Sequence, residues 1–433
     1  MPDGGRDTIS RVPDLPRLPP TADQLAWQQH RVGMFFHFGI NTYFAREWSD
    51  GTLPAAAFDP TDLDVDGWMD TALAAGASYV ILTAKHHDGF CLWPTSTTTY
   101  GVVSSPWRSG QGDLVGEFVA AARRAGLRPG LYLSPWDRNA DCYRDPVAYS
   151  RFYATQLTEL CTRYGELAEL WFDGAGSQGY TYDWPAIMAV VHEHQPRAMV
   201  FNMGAPTIRW VGNEDGLAAE PVRYVVGETQ FSQYTVVSSD LAEALYLPPE
   251  CDVSLRRGWF WSAADEPKTL DHLLAIYYRS VGLGANLLLN VPPDRSGRID
   301  PADASVVRRF GAEVRRRFGA GVPARLVEVA PGRWQADLPA GTAFDHVRLA
   351  EDLVGGQRVV GHRVLVDGVE VASGTTIGAT RIHLVGAQQT GRLEVELTGD
   401  SPVLSVVCVH RTGVREVEQV PDGYLAPTEP PLD

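Results

Sequence analysis

The sequence predicts an α/β protein: a (β/α)8-like, TIM-type barrel followed by a C-terminal antiparallel β-sandwich. Three observations carry that prediction. Short apolar runs alternate with amphipathic helical segments over roughly 300 residues, and parallel strands need such crossovers. Several of these runs break off at polar residues, namely His37, His86 to Asp88, Asp137 and Asp173. Polar residues at strand C-termini form the working rim of a barrel. After about Gly321 the period changes to short Val-rich strands divided by Gly turns. A doubly wound sheet is the alternative.

The elements follow in chain order. Residues 1–20 are rich in Pro, Asp and Arg, lack periodicity and read as a flexible arm. Thr21 predicts an N-cap for a short helix through Gln29. Gly33 to Ile40 reads as the first strand. Asp64 to Ala75 has helical spacing, with Val65, Trp68, Met69 and Leu73 on one side. Tyr79 to Thr83 is a strand running into Lys85-His86-His87-Asp88-Gly89, and Asp113 to Ala125 is a helix. Gly130 to Ser134 is a strand ending at Pro135-Trp136-Asp137, followed by a helix over Pro146 to Tyr164. Leu170-Trp171-Phe172-Asp173-Gly174 is a buried strand ending at a loop. Asp183 to His194 and Thr269 to Leu283 are helices, and Asp300 to Phe318 closes the barrel. Ala198 to Asn202, Tyr224 to Glu228 and Asn286 to Val291 supply further strands, giving about eight βα units. Residues 21–320 therefore form the expected barrel, 321–415 the sandwich with a hairpin turn at Asp367-Gly368, and 416–433 a Pro-rich tail.

Composition bounds the function. The chain has 433 residues, 44% hydrophobic and 21% charged, enough for a large core and a second domain. A net charge of −16 makes nucleic acid a poor partner. The run Arg315-Arg316-Arg317 reads as a solvated helix face. No apolar run approaches the length of a membrane span, and Met1 to Gly5 shows no charged-then-apolar leader pattern. The five cysteines are odd in number and scattered without a CxxC pair, so neither a disulfide framework nor a zinc site is expected. Reduced thiols fit a cytoplasmic location, with secretion left open should a leader have been trimmed. Oligomeric state is not legible.

Two constellations could carry chemistry. The first is a metal cluster of His86, His87 and Asp88 with His37. Adjacent strand residues point to opposite faces, and these four residues show no HxH or HExxH spacing, so no metal and no cofactor are expected. The histidines serve better as hydrogen-bonding groups to sugar hydroxyls. The second is a pair of carboxylates. Retaining glycoside hydrolysis needs two, about 5–5.5 Å apart, one as nucleophile and one as acid then base. Asp173, fixed at a strand end, suits the nucleophile, although it could equally cap the turn that follows. Glu214, in the Gly-Asn loop after Trp210, suits the acid: Trp210 could desolvate its carboxyl and raise its pKa. Glu47, Glu220 and Glu228 are rivals.

These stretches together resemble the α-L-fucosidases of glycoside hydrolase family 29. Met34-Phe35-Phe36-His37-Phe38-Gly39 is similar to the family's first barrel strand, and Glu47-Trp48 to the pair shortly after it. Thr83-Ala84-Lys85-His86-His87-Asp88-Gly89-Phe90-Cys91-Leu92-Trp93 is the most specific stretch. Asp113-Leu114-Val115, Gly130-Leu131-Tyr132, Leu170 to Gly174 and Asn286 to Val291 follow in the family's order, so the resemblance spans roughly residues 25 to 320. It implies a retaining exo-glycosidase that removes terminal α-L-fucose from an oligosaccharide, with Asp173 as nucleophile. It also implies that His37, Glu47, Trp48, His86, His87, Tyr132 and Trp171 hold the sugar and that Trp259 lines the pocket for its methyl group. Leu133-Ser134-Pro135-Trp136-Asp137-Arg138-Asn139 and Trp210 to Gly216 resemble the subfamily selective for α-1,3/1,4-linked fucose, which implies Glu214 as acid/base. A non-catalytic fucosyl-glycan-binding protein on the same scaffold is the alternative from another functional class.

Overall fold

The computed structural model describes residues 16–232, 237–421 and 424. The predicted arm through residue 15 and the tail beyond 424 lie outside them. Eight parallel strands make the barrel: β1 (Val32–Phe36), β2 (Tyr79–Lys85), β3 (Arg128–Leu133), β4 (Glu169–Trp171), β5 (Met199–Phe201), β6 (Arg209–Trp210), β9 (Pro249–Ser254) and β10 (Asn286–Asn290). Their order is β5-β4-β3-β2-β1-β10-β9-β6. The seam between β6 and β5 closes at Ile208, whose N–H donates to the Val200 carbonyl at 3.2 Å and whose carbonyl accepts from Asn202 N–H at 3.1 Å.

Six of these strands are followed by an outer helix: α3 (Val65–Ala75), α4 (Leu114–Arg124), α5 (Pro146–Arg163), α6 (Trp184–His194), α7 (Leu270–Arg279) and α8 (Pro301–Phe318). A short α1 (Ala22–Gln28), capped by Thr21, precedes the barrel, and α2 (Ile40–Phe44) follows β1 directly. Five of the six outer helices start on an aspartate cap. Asp64, Asp113, Asp145, Asp183 and Asp300 each accept a backbone N–H of the first turn, and Thr269 does so for α7. A carboxylate there satisfies orphan donors and complements the helix dipole. The apolar faces meet the strands in one core, with Trp68, Phe118, Leu157 and Leu289 almost solvent-free.

The structure corrects the expectation of eight helical crossovers. Strand β5 passes to β6 with no helix between. Between β6 and β9 lies an antiparallel hairpin, β7 (Val225–Ser232) with β8 (Val237–Tyr246). The expected barrel strand at Tyr224 to Glu228 belongs to that hairpin, while the barrel uses β6 and β9. Neither read as a strand, because β6 has two residues and β9, Pro-Glu-Cys-Asp-Val-Ser, alternates with carboxylates rather than running apolar.

The C-terminal region is a two-layer β-sandwich built from one continuous antiparallel sheet. Its strands are β11 (Val322–Pro323), β12 (Arg325–Ala330), β13 (Arg333–Glu351), β14 (Val359–Val366), β15 (Val369–Gly374), β16 (Arg381–Gly399) and β17 (Leu404–His410). The long β13 and β16 each serve both layers, bending where their mutual register shifts between Asp337 and Thr342 and again between Phe344 and His346. Val347, Val364, Val395 and Val407 fill the space between the layers. The hairpin turn at Asp367 and Gly368 takes φ of +51° and +79°, as a type I′ turn requires.

Candidate active site

The polar residues at the strand ends converge on one mouth of the barrel. Strand β2 ends at Lys85, so His86 and His87 lie beyond the pleat, before a turn at Gly89 with φ +85°. The expectation that they face opposite ways is therefore corrected: their rings are 4.1 Å apart and both pack on Tyr132, at 5.6 and 6.4 Å. His37, one residue past β1, is 5.7 Å from His86 and 6.0 Å from Tyr132.

Hydrogen bonds fix what two of these histidines present. The Asn290 amide nitrogen donates to Ser254 Oγ and to the Trp259 carbonyl, leaving its oxygen to accept from His37 Nδ1 at 2.9 Å. The Ser134 hydroxyl donates to the Trp136 carbonyl at 2.7 Å and therefore accepts from His87 Nδ1, also at 2.7 Å. Each ring therefore presents an unprotonated Nε2, an acceptor, at its other end. Burial drives the His37 pKa down to about 3 and lowers those of His86 and His87 as well. All three are neutral imidazoles at physiological pH, suited to bind hydroxyls rather than anions.

Asp173 follows β4 by two residues. Its Oδ1 accepts the Ala175 N–H at 2.8 Å, so the turn-capping reading holds for one oxygen. Its Oδ2 faces the cluster, accepting the Tyr132 hydroxyl at 2.9 Å with His87 Nε2 3.6 Å away. Trp171 lies flat between Tyr132 (5.4 Å, 25°) and Phe201 (3.8 Å, 10°), which fixes the strand that carries the carboxylate.

The remaining predicted residues surround this group. Glu47 accepts the Trp259 N–H at 2.7 Å, and burial pushes its pKa up to about 7 despite that bond. Trp48 packs edge-on against His87 and Trp136. Trp259 lies 5.0 Å from His37, and its indole N–H donates to Glu214 Oε2 at 3.4 Å. Among the described residues Trp259 is thus an aromatic partner of Glu214, and the Trp210 indole N–H points into the barrel, to Asp252 at 2.6 Å. Of the rivals to Glu214, Glu220 is turned away onto the sandwich, bonded to Thr375 and Arg381, and Glu228 is exposed on the hairpin. Phe260 is a neighbour not singled out from the sequence: its ring stands edge-on to His37 and His86 at 5.5 and 5.0 Å. It is one apolar residue among many, so spacing alone carried no signal. Among the described residues, no three His, Cys, Asp or Glu side chains are arranged to hold a metal ion.

The larger omission lies below the site. Alternate residues of β4 and β9 point inward, placing Glu169, Glu250 and Asp252 inside the barrel beneath Asp173. Glu250 accepts the Trp171 indole N–H at 3.1 Å and the Tyr79 hydroxyl, and Glu169 accepts the Trp27 indole N–H at 3.0 Å. Burial raises all three pKa values, that of Glu250 to about 7, and Glu169 holds a proton against it. A carboxyl whose folded pKa is raised contributes stability below its unfolded value, near 4.5, and loses it as pH climbs through the folded value. Glu250→Gln cannot ionise, so its melting temperature should fall less than the wild type's between pH 5 and 7.5, by a few °C. Differential scanning fluorimetry across that range checks this; parallel curves for the two proteins would mean Glu250 does not titrate there.

Comparison with known proteins places this architecture. The α-L-fucosidase family profile matches residues 47–316, more than half of the chain. An Oryza sativa subsp. japonica protein, provisionally named α-L-fucosidase 1, is 39% identical over 440 residues, covering 89% of this chain and 84% of its own. A crystal structure of a glycoside hydrolase 29 family member from an unknown rumen bacterium superposes with a TM-score of 0.83 at 31% identity, covering 93% of this chain and 79% of that one. A Ruminococcus gnavus family 29 fucosidase in complex with fucose gives 0.80 at 26% identity, covering 95% and 98%. The chain therefore belongs to glycoside hydrolase family 29, the α-L-fucosidases.

Proposed function

We propose that the protein is a retaining exo-α-L-fucosidase that removes terminal α-1,3/1,4-linked L-fucose from branched oligosaccharides or glycoconjugates by double displacement. The observation that carries this reading is the setting of Asp173. One oxygen is pinned by a backbone N–H and the other is aimed, through Tyr132, at a cluster of neutral imidazoles and aromatic rings. A carboxylate so fixed attacks C1 without reorganising. Glu214, across the cluster beside Trp259, gives its proton to the departing glycosidic oxygen as the C1–O bond breaks. The product of this step is a fucosyl ester of Asp173. The Glu214 carboxylate then takes a proton from water, which attacks C1 and restores the aspartate. His37, His86, His87 and Glu47 offer acceptors to the sugar hydroxyls, and the indoles of Trp48 and Trp259 cover its apolar faces. The linkage preference rests on the two loop stretches, Leu133 to Asn139 and Trp210 to Gly216.

Proton NMR of an aryl α-L-fucoside digest tests the mechanism. The α-anomer of free fucose should appear first and equilibrate with the β-anomer afterwards; β-fucose appearing first would replace double displacement by inversion. A branched α-1,3/1,4-fucosylated trisaccharide should be cleaved at least about 100-fold faster in kcat/KM than an α-1,2-linked one, a difference of roughly 2.7 kcal/mol in barrel-mouth recognition. Binding of fucose without release from any substrate would favour the non-catalytic alternative.

A further inference from the structure

We propose that Arg138 forms an anion-recognising subsite at the mouth of the barrel, taking a carboxylate or sulfate carried by the leaving-group part of the glycan. The proposal rests on the fucosidase reading above and deepens it. Fucose offers only hydroxyls and a methyl group, so a cation beside its pocket serves what lies beyond it. The Arg138 guanidinium sits over the rings of Trp136 and Trp48, at 5.1 and 5.9 Å from their centroids. Both indoles also pack on His87, at 5.1 and 5.9 Å, and His87 Nε2 faces Asp173. Two layers of rings thus separate the guanidinium from the nucleophile.

Its backbone is held firmly. Arg138 N–H donates to the His87 carbonyl at 2.9 Å. The preceding Asp137 accepts the N–H groups of Asn139 and Ala140 and forms a buried ion pair with Lys85 at 2.8 Å. The Asn139 side chain ties the loop to the Gly51 carbonyl at 2.9 Å, on the segment that carries Glu47 and Trp48. The side chain itself is exposed, and among the described residues its guanidinium makes no hydrogen bond or ion pair. The neighbouring acid, Asp50, already accepts the N–H and hydroxyl of Thr52. A planar fork of donors, oriented by two indoles, near Asp50 but hydrogen-bonded to no carboxylate among the described residues, is built for a planar or tetrahedral oxyanion. In a chain of net charge −16 it also offsets the repulsion an acidic glycan would meet.

The test compares kcat/KM of the full chain and of Arg138→Met and Arg138→Lys on three branched α-1,3-fucosylated oligosaccharides. One is neutral, one bears a carboxylate-containing acidic sugar on the leaving group, and one bears a sulfate there. An aryl α-L-fucoside serves as reference. In the wild type the acidic-to-neutral ratio should be one or more. It should fall about tenfold in Arg138→Met and less in Arg138→Lys, through KM, and 0.5 M NaCl should lower it in the wild type and in Arg138→Lys but not in Arg138→Met. Loss confined to the carboxylate or to the sulfate substrate identifies the group. An unchanged ratio in Arg138→Met, or an equal loss on all three oligosaccharides, overturns the proposal while leaving the fucosidase reading intact. Failure to cleave even the aryl fucoside overturns both.

Discussion

Asp173→Ala should lower kcat by on the order of 10⁴-fold or more on every fucoside, with KM little changed. Loss of a covalent nucleophile removes the path through the intermediate, not only one contact, and a factor of 10⁴ corresponds to about 5.5 kcal/mol of barrier. The fold should survive. Among the described residues the variant strands the Tyr132 hydroxyl and the Ala175 N–H, beside an Asp173 side chain that is itself partly exposed, for about 1 kcal/mol each. Thermal unfolding within a few °C of the wild type would show that the loss is chemical. Azide should enter the space vacated by the carboxylate, restore turnover and yield the inverted β-fucosyl azide. Near-normal turnover without azide would remove Asp173 from the mechanism.

That prediction was reachable from the sequence because Asp173 sits where two local rules agree: an apolar strand ends, and a glycine follows. The outer helices were legible for a similar reason, each carrying an aspartate or threonine cap before an amphipathic run, as at Asp64, Asp113 and Thr269. Where local and tertiary demands differ, legibility fails. Strand β9 carries Glu250 and Asp252 toward the barrel axis, so its pattern is polar inside and imitates an exposed strand. Those carboxyls are tolerated only because indole N–H groups of Trp27, Trp171 and Trp210, all distant in sequence, meet them. The pairing of Trp259 with Glu214 is also tertiary, since it joins residues 45 apart. His86 and His87 were assigned to opposite faces because strand alternation was carried one residue too far past Lys85.

Glu214→Ala should give a loss that depends on the leaving group. With a natural oligosaccharide, whose sugar alkoxide leaves poorly without a proton, kcat/KM should fall by about 10²–10⁴-fold, the usual worth of a positioned general acid. With an activated aryl fucoside, protonation of the leaving oxygen matters little, so the first step should be nearly spared. The second step, which needs the Glu214 carboxylate as base toward water, should then limit turnover and produce a burst of aryl alcohol as the Asp173 ester accumulates. Azide needs no base, so it should relieve that block and yield the retained α-fucosyl azide, opposite to the product from Asp173→Ala. The two rescue products together assign the two roles, since a residue that merely supported the fold could not reverse the anomeric outcome. Equal losses on good and poor leaving groups, with no burst, would instead transfer the acid's role to another carboxyl. Glu47 is then the group to replace: it lies within the same cluster, and burial has already brought its pKa to about 7, where a general acid works at neutral pH.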